Sequence, residues 1–238
     1  MTEQQRQEIL ARARVFFRDN IALNHKRNTE KLGNLREFNI NPFTLPYITK
    51  FAFGNDTPES MAKALLYPRI LGQSIATTFG TQLQHFCSNV LQGFASTTTG
   101  IDIEFIDEID NRRKFCQIKS GPNTINHDDV NTIRNHFTAI RNLARTNRLE
   151  NFNPDTDCIV GVFYGEPQDL SMHYKRINRD FHPVYVGKDF WHRLTGDENF
   201  YNELISAIAE VAIEIDGTET LNNVITQLAE QIRRQNQN

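Results

Sequence analysis

Residues 100–121 constrain the fold more than any other part of the chain. They contain two runs rich in β-branched and aromatic residues, separated by Asp110-Asn111, a pair that suits the left-handed turn of a two-residue β-hairpin. Such a turn fixes the register, because each residue of one strand then has a defined partner on the other strand. The directly opposed pairs predicted in this way are Asp102 with Lys119, Glu104 with Gln117 and Ile103 with Ile118.

Side chains alternate between the two faces of a hairpin, so the same register predicts what each face carries. One face is predicted to be apolar and to join the core, with Ile103, Phe105, Cys116 and Ile118. The opposite face is predicted to gather two carboxylates, an amide and an ammonium, from Asp102, Glu104, Gln117 and Lys119. This concentration of polar groups on one face is the hypothesis for a functional site.

The composition of the 238-residue chain, with 39% hydrophobic and 23% charged residues, is typical of a globular protein. Its three cysteines, Cys87, Cys116 and Cys158, lack the spacing of a metal site. Together with an N-terminus that does not resemble a signal peptide, they predict a reducing cytoplasm. No apolar run approaches the roughly 18–20 residues that a transmembrane helix needs.

The net charge of −3 is unevenly distributed. Residues 111–149 contain eight Lys or Arg against two acids, whereas residues 194–232 contain eight acids and neither Lys nor Arg. A polyanion would be attracted to the first region and repelled by the second. Ordinary surface variation is the alternative explanation.

Hydrophobic periodicity predicts helices before and after the hairpin and strands between them. The predicted helices cover residues 2–23, a short segment capped by Thr57 and broken at Tyr67-Pro68, residues 69–91, a helix capped by Asn126, residues 197–215, and a last helix from Thr218. The predicted strands after the hairpin cover residues 157–164 and 183–186. This alternation predicts an α/β fold with a mixed sheet.

An aspartate, a second acid and a lysine on one strand pair suit phosphodiester hydrolysis. Mg²⁺ prefers oxygen ligands, usually one or two carboxylates together with water and substrate phosphate oxygens. A neighbouring ammonium can orient water and stabilise the charge that develops on the phosphate. Surface hairpins often carry such residues, so this pattern alone is weak.

Longer motifs carry a family resemblance. Gly100-Ile101-Asp102 together with Gln117-Ile118-Lys119 resembles the PD-(D/E)-x-K nuclease signature, with Gln117 at a position where an acid is usual. Four further stretches resemble the type II restriction endonucleases that cut GG-W-CC or GG-N-CC sites, the AvaII/SinI-like group. These stretches are Tyr67-Pro68-Arg69-Ile70-Leu71-Gly72, Thr78-Phe79-Gly80, the run from Gln117 to Val130, and Phe190-Trp191 followed by Leu194-Thr195-Gly196.

The resemblance implies a restriction-endonuclease-like αβββαβ core with extra N- and C-terminal helices, in one nuclease domain over residues 1–238. Residues 67–196 would be the catalytic core, preceded by a helical and irregular part over residues 1–66 and followed by C-terminal helices over residues 197–238. The enzyme would act as a homodimer on palindromic double-stranded DNA in the bacterial cytoplasm, with Mg²⁺ as its cofactor. A cognate DNA methyltransferase is also implied, although not as a physical partner.

By the same resemblance, Asp102 is the metal-binding acid, Gln117 holds the second motif position and Lys119 is the catalytic lysine. Helix 69–91 contains no Asp or Glu that could compensate for the neutral Gln117, and its Gln84 is interpreted as a packing residue. Glu104 is the preferred compensating acid, although a one-residue slip of the hairpin would turn it into the core. Asp107 is ranked below Asp102 as the motif acid, because its odd-numbered position places it on the apolar face with Ile103 and Phe105. The expected metal ligands are therefore Asp102, Glu104 and the main-chain carbonyl of Ile118.

The loop that leaves the catalytic strand is the candidate for base recognition, since G·C pairs offer acceptors and a donor in the major groove. Its candidate residues are Ser120, Asn123, Thr124, Asn126 and His127, and Asn126 also competes as a helix cap. The candidates for phosphate contacts, which position a protein without reading sequence, are Arg134, Arg141, Arg145, Lys175 and Arg176.

Three other functions remain open from the sequence. A related nuclease without fixed sequence specificity would share the site, and a non-catalytic DNA-binding protein would explain the neutral Gln117. A purely structural or protein-binding domain is the third. The central bases of the site, the overhang, the number of metal ions and the dimer surface are left undecided.

Overall fold

The computed structural model describes residues 2–91 and 94–236, in which the chain forms two compact units. The first unit consists of Met1–Arg14 and Leu83–Ile208, and the second of Val15–Gln82 and Ala209–Asn238. Among the described residues, no helix combines the length and the apolar character needed to span a membrane.

Helices make up most of the described chain. Their bounds are α1 Glu3–Phe16, a π-helical turn Phe17–Ala22, α2 Leu23–Lys31, α3 Thr44–Phe53, α4 Pro58–Pro68, a second π-helical turn Arg69–Ser74, α5 Ile75–Val90, α6 His127–Thr146, α7 Pro154–Asp157, α8 Met172–Asp180, α9 Lys188–Thr195, α10 Phe200–Ile215 and α11 Thr218–Asn236. Short 3₁₀ turns lie at Leu35–Glu37 and Pro167–Asp169. The helix predicted over residues 69–91 therefore begins as a π-helical turn and continues as α5; the side chain of Gln84 lies outside the described residues.

A four-stranded mixed sheet lies in the first unit, in the order β1-β2-β3-β4. The strands are β1 Ile103–Ile106, β2 Arg113–Lys119, β3 Cys158–Val162 and β4 Val184–Val186. β1 pairs antiparallel with β2, while β2 with β3 and β3 with β4 are parallel. The predicted α/β class, with a mixed sheet flanked by helices, is confirmed. Within the described residues two strands precede α6, and Ala95 adds a single antiparallel bridge to Ile103.

The hairpin register differs from the prediction by two residues. Ile103 lies opposite Cys116, not opposite Ile118, so the predicted pairing of Asp102 with Lys119 and of Glu104 with Gln117 is wrong. The connection is longer than two residues because the Asp107 N–H donates to the Arg112 carbonyl at 2.9 Å and closes a loop over residues 108–111. The buried Asp107 stabilises this loop, since its Oδ1 accepts from the Ile109 N–H at 2.8 Å and its Oδ2 binds Arg193 at 2.9 Å.

A shift of two residues leaves each side chain on its original face, because the side-chain period of a strand is two. Ile103, Phe105, Cys116 and Ile118 are buried on the apolar face as predicted. The polar face is also partly covered, because α6 packs against it. The core formed there includes Phe115 and Val160 from the sheet and the apolar stripe of α6, whose members are Val130, Ile133, Phe137 and Ile140.

The second unit has its own hydrophobic core, formed where α4 packs against α11. Leu66 and Ile70 lie in this core with Val224 and Leu228, and all four are buried. Val224 and Leu228 thus lie on the packing face of α11. The residues of the predicted nuclease motif all belong to the first unit.

Candidate active site

Asp102 lies immediately before β1, and its carboxylate turns toward β2. Oδ2 accepts a hydrogen bond from the main-chain N–H of Ile118 at 2.7 Å. Burial raises the pKa of Asp102, and this effect exceeds the opposing effects of the Ile118 N–H and of the positive charge of Lys119. The carboxylate is therefore a partly dehydrated anion that its protein neighbours do not fully compensate.

Gln117 is buried in the middle of β2, with an exposed fraction of 5%. Its Nε2 lies 2.5 Å from the carbonyl oxygen of Gly100 and 2.5 Å from Nδ1 of His136, which projects from α6. The parity of β1 and β2 puts Gln117 on the same face as Asp102. The second motif position is thus a fixed amide beside the motif acid.

Lys119 ends β2 on that same face and is half-buried. Its positive charge lowers the pKa of Asp102, which indicates that the ammonium and the carboxylate are neighbours. Within the described part of the chain, the Lys119 ammonium forms no ion pair. The structure therefore brings together Asp102, Gln117 and Lys119, the three residues of the motif.

Glu104 shares the face but has other partners. Its Oε1 accepts from the hydroxyls of Ser96 at 2.5 Å and Thr98 at 3.1 Å, and its Oε2 binds Arg113 at 2.5 Å. Burial alone would raise the pKa of Glu104, but these hydroxyls and the Arg113 guanidinium outweigh burial and lower it. A ligand role for Glu104 would require Arg113 to release Oε2.

The residues around Asp102 suit a hard divalent cation better than a transition metal. No group of three or more His, Cys, Asp or Glu side chains among the described residues forms a metal-binding cluster. The oxygen donors near Asp102 are instead its own carboxylate, the amide of Gln117 and the peptide of Ile118, and Mg²⁺ accepts such a sparse oxygen set because it retains water. The uncompensated charge of Asp102 is the feature that a cation would neutralise.

The loop after β2 presents some of its predicted recognition residues to solvent and uses others internally. Asn123, Thr124, Asn126 and His127 are exposed, while Ser120 is half-buried. The Thr124 hydroxyl donates to the Gly121 carbonyl at 2.9 Å and lies 3.1 Å from the Tyr174 hydroxyl. Asn126 caps α6, and its Oδ1 accepts from the N–H groups of Asp128 and Asp129 at 2.8 and 3.1 Å. Asn126 therefore has its amide nitrogen available while its oxygen is used.

The predicted phosphate-binding residues are all exposed: Arg134, Arg141, Arg145, Lys175 and Arg176. Two of them come together, since the guanidinium groups of Arg134 in α6 and Arg176 in α8 lie 4.2 and 5.9 Å from the ring centre of Phe181. Lys175 donates to the carbonyl of Gln168 at 3.2 Å. Their contact with DNA stays a prediction.

Sequence reasoning missed the partners of the motif residues. His136 was overlooked, although its position three residues after Ile133 and four before Ile140 places it beside the buried stripe of α6. Ser96 and Thr98, which bind Glu104, precede the hairpin in a segment without periodicity. No local pattern could have revealed them, because their contacts depend on the bridge between Ala95 and Ile103.

Comparison with known proteins identifies the family. The sequence model of the family described as Type II restriction endonuclease EcoO109I matches residues 12–216, which is most of the chain. None of the curated proteins compared with the chain matches it. The matched range includes the whole mixed sheet and the three motif residues. The chain therefore belongs to the type II restriction endonuclease EcoO109I family and is a site-specific deoxyribonuclease.

Proposed function

We propose that the protein makes Mg²⁺-dependent double-strand cuts at a short palindromic site of the GG-W-CC or GG-N-CC type. The observation that carries the proposal is the grouping of Asp102, Gln117 and Lys119 on one face where β1 and β2 meet. The local motifs around this face resemble enzymes that cut such sites. The family match supports site-specific DNA cleavage in general.

Asp102 and Gln117 would hold the ion, with the main-chain carbonyl of Ile118 as a further ligand. Mg²⁺ in this position would supply Lewis-acid polarisation of a phosphate oxygen. The partly buried carboxylate of Asp102 supports the assignment, because burial without full compensation raises its pKa and favours a bound cation. Glu104 remains a candidate for an additional carboxylate ligand.

Lys119 would contact the scissile phosphate. An ammonium that forms no ion pair with the described residues and lies next to Asp102 can orient the attacking water and stabilise the negative charge that grows on the phosphoryl oxygens. Hydrolysis forms one bond from water oxygen to phosphorus and breaks one bond from phosphorus to a deoxyribose oxygen; the water gives up a proton and the leaving oxygen takes one up. The role of Lys119 is thus electrostatic and depends on its place at the end of β2.

Recognition would come from the loop that follows Lys119. This loop continues directly from the catalytic strand and carries the exposed residues Asn123, Thr124, Asn126 and His127. A movement of the loop on base contact would therefore be transmitted to Lys119 over only a few residues. G·C pairs present N7 and O6 acceptors to such donors in the major groove. Arg134, Arg141, Arg145, Lys175 and Arg176 would contact phosphates and set the orientation of the protein.

A homodimer follows from the symmetry of a palindromic site, because two identical active sites related by a two-fold axis can each address one strand. Sedimentation of the protein with and without a site-containing duplex tests this part of the proposal. We expect a species of twice the 27.5 kDa chain mass on DNA. A single subunit bound to the duplex at all concentrations would contradict it.

Digestion of a fully sequenced plasmid, with Mg²⁺ and with EDTA, tests the function. We expect discrete fragments only with Mg²⁺, and end sequencing should locate every cut at a GG-W-CC or GG-N-CC site and define the overhang. Discrete cuts at another sequence would overturn the proposed site while leaving the family intact. A smear would favour a nuclease without fixed specificity, and cleavage in EDTA would refute the metal dependence.

A further inference from the structure

The orientation of the Gln117 amide is fixed by its surroundings. Its terminal group lies against the carbonyl oxygen of Gly100, which can only accept a hydrogen bond, so the nitrogen of the amide must face it. The same nitrogen also contacts Nδ1 of His136. Both N–H groups of Gln117 are therefore assigned to these two acceptors, and Oε1 is the polar atom that remains.

His136 is constrained in turn. Because Nδ1 accepts from Gln117, Nδ1 carries no proton and the N–H of the imidazole is assigned to Nε2. The ring sits against Gly100, where an added Cβ would lie 2.6–2.8 Å from the ring atoms. Gly100 also has a φ of +81°, a backbone conformation that favours glycine. Gly100, Gln117 and His136 thus form one fitted unit, called here the amide clamp.

The amide clamp does not suit the carboxylate that is usual at this position of the motif. A Glu at position 117 has no N–H to donate, so one of its oxygens would face the carbonyl oxygen of Gly100 and repel it. Burial of Gln117 to 5% exposure leaves little water to relieve that repulsion. The surroundings therefore favour an amide over a carboxylate at position 117. This argues that Gln117 has a role of its own and does not simply mark the loss of the usual acid.

We propose that His136 is a positioning residue: by accepting from the Gln117 amide nitrogen it directs Oε1 of Gln117, one of the proposed ligands, toward the ion beside Asp102. An amide carbonyl is a hard oxygen donor of the kind that Mg²⁺ accepts. Groups that orient a ligand are usually worth about 10–100-fold in metal affinity or activity when they are removed. The inference rests on the proposed Mg²⁺-dependent cleavage and adds the residue that orients one of its proposed ligands.

Three variants test the amide clamp once wild-type cleavage in Mg²⁺ has been established. His136→Ala removes the acceptor, His136→Asn restores an acceptor at the same number of bonds from Cα, and Gln117→Glu supplies the usual acid. Asn135→Ala, at an exposed neighbouring position of α6, controls for general damage to the helix. Failure of the wild type to cut would refute the proposed function itself, before any variant is compared.

The first readout is the Mg²⁺ concentration that gives half-maximal cleavage. We expect it to rise on the order of tenfold or more in His136→Ala and Gln117→Glu, and to stay within about threefold of wild type in His136→Asn. The KM for DNA should be unchanged in all three variants. The inference would be overturned if Gln117→Glu needed no more Mg²⁺ than wild type for half-maximal cleavage. It would also be overturned if His136→Ala and His136→Asn raised that Mg²⁺ concentration equally.

The second readout needs no turnover. Calorimetric titration of the DNA complex with Ca²⁺, used as a non-cleaving probe ion, should show the same order of affinities across the variants. Nitrogen-15 NMR of the metal-free wild type should find His136 protonated on Nε2 and unprotonated on Nδ1. A proton on Nδ1, or unaltered Ca²⁺ affinity in His136→Ala, would refute the amide clamp.

Discussion

At the scale of single residues, the charged side chains of the site lie on one face of the hairpin but have very different hydrogen-bond and ion-pair partners. Asp102 is partly buried and poorly compensated, whereas Glu104 is bound by two hydroxyls and a guanidinium. Lys119 forms no ion pair within the described residues. These differences give each residue a separate experimental signature.

Lys119→Ala should abolish cleavage while preserving sequence-specific binding. The ammonium acts on charge that develops in the transition state, so its loss should lower kcat by about 10²–10³-fold or more. Single-turnover cleavage measures the first effect and gel shift in Ca²⁺ the second. Lys188→Ala, an exposed lysine at the start of α9, is the matched control, and full activity of Lys119→Ala would refute the assignment.

Asp102→Asn should stabilise the metal-free protein while it abolishes cleavage. Folding raises the pKa of Asp102, so its charged form destabilises the fold at neutral pH, and this cost disappears as the pH falls through the raised pKa. Asparagine keeps an oxygen for the Ile118 N–H and removes the charge. We expect a Tm gain of roughly 2–4 °C at neutral pH, the size produced by about 1 kcal/mol in a chain of this length, and a smaller gain in acid.

The matched control for that comparison is Asp128→Asn, because Asp128 is exposed in the first turn of α6. A charge there is favoured by the helix dipole, so its removal should lower stability slightly. Thermal unfolding of both variants over the same pH range gives the answer. A lower Tm for Asp102→Asn at neutral pH would mean that its carboxylate is compensated in the fold.

At the scale of elements, the N-terminus of α6 combines two tasks in one residue. Asn126 uses Oδ1 to cap the helix, and Asp129 returns a bond from its Oδ2 to the Asn126 N–H at 2.8 Å. Asn126 is exposed in the loop after β2, the candidate for base recognition, and its amide nitrogen takes no part in the cap. Substitutions can therefore separate capping from base recognition.

Asn126→Asp should keep the cap, and Asn126→Ala should lose it at a cost of about 1 kcal/mol. If the amide nitrogen also donates to a base, Asn126→Asp will lower binding to the cognate site by about 1–3 kcal/mol and leave nonspecific binding nearly unchanged. Urea unfolding and competition binding measure the two effects. Unaltered specificity in Asn126→Asp would reduce Asn126 to a helix cap.

At the scale of the whole molecule, basic and acidic residues are segregated along the chain. The basic region contains α6 with its exposed Arg134, Arg141 and Arg145, and the acidic region includes α10. Removal of phosphate-contacting arginines weakens binding to all sequences alike, because such contacts release counterions without reading bases. Salt dependence is the direct measure.

The double variant Arg141→Ala with Arg145→Ala should lower the slope of log K against log salt by about 2, one for each lost phosphate contact. Cognate and nonspecific DNA should be affected equally. Arg18→Ala is a suitable control, because Arg18 is partly exposed in the second unit and already paired with Asp19. An unchanged slope would place these two arginines away from the DNA.

Much of this protein was determined by local sequence. The two-residue period of side chains in a strand predicted the two faces of the hairpin, and the α6 stripe and its cap could be predicted because helix period and capping chemistry are local. The predicted face of each side chain was correct although the predicted register was wrong, because a shift of two residues leaves every side chain on the same face of the strand.

Tertiary structure decided which partners these side chains have. Asp107 set the turn length through hydrogen bonds to Ile109 in the loop, to Arg112 after it and to Arg193, which lies far along the chain. His136 reached Gln117 only because α6 packs across β2, and Ser96 and Thr98 reached Glu104 only through a bridge to β1. Hydrogen-bond partners that are distant in sequence meet only through packing. Only the tertiary structure therefore identifies these partners and shows which atom of each side chain bonds to them.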